Sequence, residues 1–118
     1  LSSSAALARR PERQIDMASV RIMFWKDIPY GVRAFDEGGN RVTRQLARRF
    51  EAAVDAAAMA EGATDEKAYR AGFRWSEPEE RSGSAAEVVR DIVAEINAAY
   101  PPSRLAKLVR RRKAFEDR

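Results

Sequence analysis

The first group of polar side chains with a possible functional role lies in the stretch Lys-Asp-Ile-Pro-Tyr at residues 26–30. This stretch closes the longest apolar run of the chain, and functional side chains are common where a buried strand ends. We interpret Trp25, Lys26, Asp27 and Tyr30 as parts of a surface that binds a partner. The structural alternative is that Asp27 caps the turn that follows it and pairs with a nearby arginine.

Arginines form the second candidate group. Guanidinium groups bind carboxylates and phosphates through paired hydrogen bonds, so a cluster of them would suit an acidic partner or an anion. Such a patch would form, if the exposed faces of the predicted strands lie side by side, from Arg33, Arg44, Arg48, Arg70 and Arg74. All of these except Arg33 are assigned to the predicted partner-binding surface. The alternative is a solvated face that is balanced by the acids Glu37, Glu51 and Asp55.

A basic segment near the C-terminal end is the third candidate. It has six positive charges and no acid within ten residues: Arg104, Lys107, Arg110, Arg111, Arg112 and Lys113. On a helix its cations would lie opposite Leu105, Leu108 and Val109, which describes a basic amphipathic segment. Such a segment could bind nucleic acid, an anionic membrane or an acidic protein, or could serve only as a solubilising tail.

Composition excludes several reaction classes. The chain has no cysteine and no histidine, so it can form no disulfide, no cysteine or histidine nucleophile pair and no zinc-finger site. Neighbouring acids such as Glu79 and Glu80 are typical of a solvated loop, and no calcium-loop spacing is present. We therefore predict no catalytic residue, no metal site and no cofactor.

Length and charge indicate one ordinary globular domain. The chain has 118 residues, of which 45% are hydrophobic and 34% charged, and no run approaches the roughly 18 apolar residues of a membrane span. The net charge of +4 is uneven, because residues 104–118 carry seven basic side chains against two acids. We expect a cytoplasmic protein with a nearly neutral body and without a membrane span.

The predicted sheet has four strands. Apolar and aromatic residues at 20–29 predict a central strand that is buried on both faces and ends at Pro29. A turn over residues 36–40 predicts a hairpin between 32–36 and 41–45. Strict alternation of aromatics and arginines predicts a fourth strand over 69–76, and residues 77–83 have the composition of a loop.

Three helices complete the prediction. Apolar residues at helical spacing predict a helix over 47–61, closed by Gly62 and anchored by Phe50 over the central strand. Ser84 and Glu87 match a capping box that opens a helix over 84–99. Ser103 can cap the basic last helix.

The resulting fold class is α+β: a mainly antiparallel four-stranded sheet, two helices packed on one face, and a basic C-terminal helix. We interpret residues 1–16 as a tag or upstream segment, 17–100 as the domain, and 101–118 as a basic helix or tail.

The chain resembles the bacterial "virulence factor" domain family over about residues 19–80. The most specific part is Trp25-Lys26-Asp27-Ile28-Pro29, and three further stretches carry the resemblance: residues 44–50, 57–59 and 62–65. A similar module lies in the larger conserved virulence factor C, beside an Nfu-like iron–sulfur scaffold segment and HEAT-like repeats. The resemblance implies no reaction and no set of catalytic residues.

We predict a non-enzymatic protein-interaction or scaffold module, an accessory subunit of a larger bacterial assembly. Aromatic residues and arginines, which are enriched in interfaces, are well supplied. One alternative is a nucleic-acid-binding protein that acts through the basic C-terminal helix. Another is a subunit, catalytic or not, of a multi-component enzyme.

Overall fold

The computed structural model describes the backbone of residues 17–116 and the side chains of residues 17–112. The elements follow one another as β1 (Met17–Trp25), β2 (Ile28–Asp36), β3 (Arg41–Gln45), α1 (Arg48–Glu61), α2 (Glu66–Ala71), β4 (Phe73–Trp75), β5 (Glu79–Ser82), α3 (Ala85–Ala99) and α4 (Pro102–Glu116). The predicted segment 1–16 lies outside the described residues. No helix in the described part is long and apolar enough to cross a membrane.

One antiparallel sheet organises these elements. Its order is β3-β2-β1, and the far edge of β1 pairs with β4 near Trp25 and with β5 near Met17. The predicted α+β class with an antiparallel sheet is confirmed, although the sheet has five strands and not four. The central place predicted for the first apolar strand is also confirmed, since β1 has neighbours on both sides.

The prediction of one strand over residues 20–29 is wrong after Trp25, because the chain turns there and begins a second strand at Ile28. Lys26 and Asp27 form the turn, and Trp25 pairs with Ile28 across it. Lys26 has a φ of 56° and its N–H donates to the carbonyl of Gly72 at 2.8 Å. A lysine in this conformation is uncommon and gives no sequence signal of a turn, so the run looks continuous.

The hairpin predicted over 32–36 and 41–45 is confirmed as β2 and β3. Its turn is closed by Asp36, whose carboxylate accepts from the N–H of Asn40 at 2.9 Å. The other carboxylate oxygen accepts from the N–H of Ala85, also at 2.9 Å. Asp36 therefore joins the hairpin to the N-terminal end of α3, where a negative charge is favourable.

These hydrogen bonds predict a specific loss of stability in acid. The N–H groups of Ala85 and Asn40 hold the pKa of Asp36 below its usual range. A lowered pKa in the folded state stabilises the protein above the unfolded pKa, and the contribution is lost as the pH falls through the folded pKa. We expect the free energy of unfolding to fall less steeply in Asp36→Asn than in the wild type below about pH 5.

Denaturant curves from neutral pH to about pH 3 would measure that difference. Because every other carboxylate titrates in both proteins, the difference between the two curves reports Asp36. Parallel curves would show that Asp36 adds nothing to the acid sensitivity.

Helix α1 matches its predicted range closely. Gly62 follows it with a left-handed φ of 83°, as a C-terminal cap requires. Phe50 and Val54 are fully buried, and the helix contacts β2 and, more extensively, α4. It was predicted to lie over the central strand, whereas its main contact is the last helix.

Two predictions for residues 69–83 are wrong. Residues 69–71 end the helix α2, which Asp65 caps by accepting from the N–H of Ala68 at 2.9 Å, so only Phe73–Trp75 remains a strand. The predicted loop contains β5, whose four residues pair with Met17–Val20. Strand β5 was missed because its residues are all polar, and polar edge strands lack the apolar alternation that marks a strand.

The last two helices close the core. The capping box of Ser84 and Glu87 is confirmed at the start of α3. Helix α4 begins at Pro102, so Ser103 lies inside its first turn and is not its cap. Leu105 and Leu108 are buried in the common core, and residues 102–112 are therefore an integral part of the packed domain.

Candidate interaction surface

The turn between β1 and β2 is held by charged side chains from three elements. Nζ of Lys26 lies 2.8 Å from Oε2 of Glu61, and the other oxygen of Glu61 lies 3.3 Å from Nη1 of Arg112. Oδ2 of Asp27 lies 3.8 Å from Arg111 and 3.9 Å from Arg112. This network joins the turn to the end of α1 and to α4, and it agrees with the structural alternative in which Asp27 pairs with arginines.

The two aromatic candidates of this stretch lie inward. Trp25 is fully buried, and its Nε1 donates to the carbonyl of Tyr69 at 2.7 Å. A Cβ at position 72 would overlap the indole ring, so only Gly72 permits this packing. Tyr30 is half-buried, with its ring 5.1 Å from that of Phe73 in an edge-to-face contact. Trp25 offers no surface to a partner.

The candidate arginines on the sheet and helices have different surroundings. Arg70 pairs with Glu66 at 2.7 Å along α2, and the guanidinium of Arg74 lies 4.7 Å from the centre of the Phe24 ring. Arg44 is paired in register with the buried Val32. Arg48 is exposed at the start of α1, and the four side chains thus come from four different elements.

The basic segment is only partly free. Arg104 donates to the carbonyl of Ala99 at 2.8 Å and stacks on Tyr100 at 4.0 Å. Arg112 is directed towards Glu61. Lys107 and Arg110 are exposed, whereas the side chain of Lys113 lies outside the described residues. The anion-binding surface predicted for this segment is thus reduced by the contacts of its own arginines.

The structure assembles a different group on the sheet. Arg33 and Arg21 face each other across β1 and β2, with their guanidinium carbons 4.6 and 5.9 Å from the centre of the Trp75 ring. Beside them, Arg41 lies 4.8 Å from the centre of the Phe35 ring, which is 41% exposed. We call these five residues the arginine face.

The arginine face lies on the side of the sheet away from the helices. The residues that alternate with it, among them Val20, Val32 and Ala34, are buried in the core, and side chains alternate between the two faces along a strand. A groove of about 230 Å³ continues the arginine face towards β3. Its lining includes Met23, Thr43 and Gln45.

The arginine face has an excess of positive charge. Within residues 17–112, no ion pair joins Arg21, Arg33 or Arg41 to a carboxylate. One acid, Glu80, is paired in register with Ser19 at the far edge. Nε of Arg21 donates to the carbonyl of Ser76 at 3.0 Å, and the remaining N–H donors of these guanidinium groups suit carboxylates or phosphates.

The sequence pattern placed Arg33 in a patch but did not connect it with Arg21, Arg41 or Phe35. The signal needed was the position of the turn at Lys26, because that turn fixes which residues of β1 and β2 lie opposite each other. Trp75 belonged to the predicted strand over 69–76 with aromatics on one side and arginines on the other, whereas its ring supports two arginines from β1 and β2.

Comparison with known proteins gives a family. No curated protein and no solved structure matches the chain. A family model described as "Virulence factor" matches residues 23–109, which extends the resemblance beyond residue 80 into α3 and α4. Because this match spans most of the chain and of its folded core, the chain belongs to the virulence factor family.

Proposed function

We propose that this protein is a non-enzymatic interaction module, an accessory or scaffold subunit that binds an acidic surface of a partner protein through the arginine face. The observation that carries the proposal is the set of three arginines that have no carboxylate partner among residues 17–112 and are supported by aromatic rings. Arginine with an aromatic neighbour is a recurrent component of protein interfaces.

An acidic protein fits this face better than nucleic acid does. Proteins that bind single strands on a sheet present bare aromatic rings on which bases stack. Here arginines lie over the rings of Trp75 and Phe35, so the face presents guanidinium groups instead. The basic helix α4 also supports nucleic-acid binding less well, since Arg104 and Arg112 make contacts within the domain.

The test is a matched pair of charge reversals. Arg21 and Arg41 are both exposed, and we expect Arg21→Glu/Arg41→Glu to weaken partner binding by about tenfold or more, since like charges across an interface are strongly unfavourable. The control is Lys67→Glu/Arg90→Glu, which changes the charge equally at exposed positions on α2 and α3. The control should bind within about twofold of the wild type.

Partners would be captured from the native cell by the tagged full chain, with and without nuclease, and the affinity of each stoichiometric partner would then be measured for all three proteins. If the affinity for every captured partner is unchanged by both charge reversals, the proposal is contradicted. Recovery of nucleic acid alone would favour a role for α4, to be tested by reversing Lys107 and Arg110.

A further inference from the structure

Among the described residues, the sheet has one continuous free edge, strand β3. Its five residues form the last strand on that side. The opposite edge is divided between β4, with three residues, and β5, with four. A strand that is free along its length offers a row of backbone donors and acceptors to another chain, and β3 is the longer such row.

The free groups of β3 can be named from its hydrogen bonds. The N–H of Leu46 donates to the carbonyl of Tyr30 at 3.1 Å, and that of Asp36 donates to Asn40 at 3.0 Å. Bonded and non-bonded pairs alternate along an antiparallel ladder. Hence Arg41, Thr43 and Gln45 direct their N–H and C=O groups away from β2. Among the described residues, no backbone group outside the sheet is bonded to them.

The side chains around this edge are basic and would favour a negatively charged partner. Arg41 and Arg44 project from opposite faces of β3, since side chains alternate. Both are exposed, and no carboxylate of residues 17–112 is paired with either. The groove of about 230 Å³ lies against the same strand and leads to Trp75. An extended segment placed along β3 would thus meet arginines on both of its faces and an apolar groove beside one of them.

We propose that β3 binds an extended, acidic segment of a partner protein, which adds to the sheet as a sixth strand. The proposal rests on the proposed function and specifies how the partner is recognised. Main-chain hydrogen bonds to Arg41, Thr43 and Gln45 hold the segment, and pairing of its acidic side chains with Arg41 and Arg44 selects it. A second copy of the chain is disfavoured as the occupant, because β3 against β3 would bring the arginines of both copies together.

The decisive variants are Thr43→Pro and Thr43→Val. Proline removes the outward N–H of Thr43, and edge strands tolerate proline where the N–H faces solvent. Valine keeps the N–H and the branched shape, and the side chain at this position is exposed. The probe is a labelled peptide of about ten residues with the repeat Glu-Glu-Thr-Thr, which presents glutamates on both faces of an extended strand of matching length. The same peptide with lysine in place of every glutamate is its control.

We expect the acidic peptide to bind the wild type and Thr43→Val within about twofold of each other, and Thr43→Pro at least about tenfold more weakly. In nuclear magnetic resonance spectra the amide signals of residues 41–45 should shift and gain protection from exchange. Circular dichroism and thermal unfolding of each variant would show that the fold is kept. Binding should weaken at about 0.2 M salt because it depends on exposed charges.

The remaining outcomes separate this inference from the proposed function. Suppose that Thr43→Pro binds the captured partner as the wild type does, while Arg21→Glu/Arg41→Glu does not. Strand addition is then wrong, and binding through the arginine face is still supported. If the lysine peptide binds as well as the acidic one, or if neither binds at millimolar concentration, the inference is overturned. If neither Thr43→Pro nor Arg21→Glu/Arg41→Glu weakens binding of the captured partner, both proposals are wrong.

Discussion

Replacing Phe50 by alanine is expected to lower the free energy of unfolding by about 3–5 kcal/mol. Phe50 is fully buried in α1, and its ring meets that of Tyr100 edge-to-face at 6.3 Å. It thus joins the buried face of α1 to the end of α3. Alanine would remove this aromatic contact and leave a cavity that the surrounding side chains can fill only in part.

Met59 provides the matched control for Phe50, because it lies on the same helix and is 73% exposed. Met59→Ala should change stability by less than about 0.5 kcal/mol. Urea unfolding followed by circular dichroism would measure both variants. A loss below about 1 kcal/mol in Phe50→Ala would contradict the packing of α1 described here.

Helices α1 and α3 could be predicted well because their signals are local, whereas the end of α2 was predicted as strand. Gly62 marks the end of α1, and Ser84 with Glu87 marks the start of α3. Apolar residues at spacings of three and four then identify the buried face of each helix. What the pattern could not show is which partner each face meets, and α1 packs mainly on α4.

The strands were predicted less well because pairing depends on residues far apart in the sequence. The turn at Lys26 uses a positive φ where glycine or asparagine would be the usual signal. Strand β5 is polar throughout and is held by pairing with β1 and by Arg81, which contacts Glu79 and Glu95 at 2.6 and 2.7 Å. Neither feature has a local pattern that reveals it, since the turn looks like a continuing strand and β5 looks like a loop.

These differences also explain the outcome for the candidate site. The stretch from Trp25 to Tyr30 combines the most specific part of the family resemblance with a structural role, for Trp25 packs on Gly72 and Lys26 pairs with Glu61. The interaction surface proposed here lies instead on the far side of β1 and β2. Its composition is visible in the sequence, but its assembly depends on the register of the hairpin.

Because α4 is packed into the domain, a substitution on its buried side is expected to cause the second large loss of stability. A basic helix that is only a tail could lose an apolar side chain without consequence, whereas Leu105 is 3% exposed and belongs to the core. We therefore expect Leu105→Ala to lower the free energy of unfolding by about 2–5 kcal/mol. The spread reflects how far α1 and α4 can close around the missing side chain.

Lys107 is the control for Leu105, since it lies on the exposed side of the same helix. Lys107→Ala should alter stability by less than about 0.5 kcal/mol while removing one of the cations that a nucleic acid would contact. Unfolding curves of both variants, set beside their binding to captured partners, distinguish the two roles of α4. If Leu105→Ala were as stable as the wild type, α4 would be an appended segment, and a deletion of residues 104–118 would then be a fair test of whether this segment binds a partner. If it is destabilised as expected, that deletion would unfold the domain, and only surface substitutions can ask what the basic side of α4 binds.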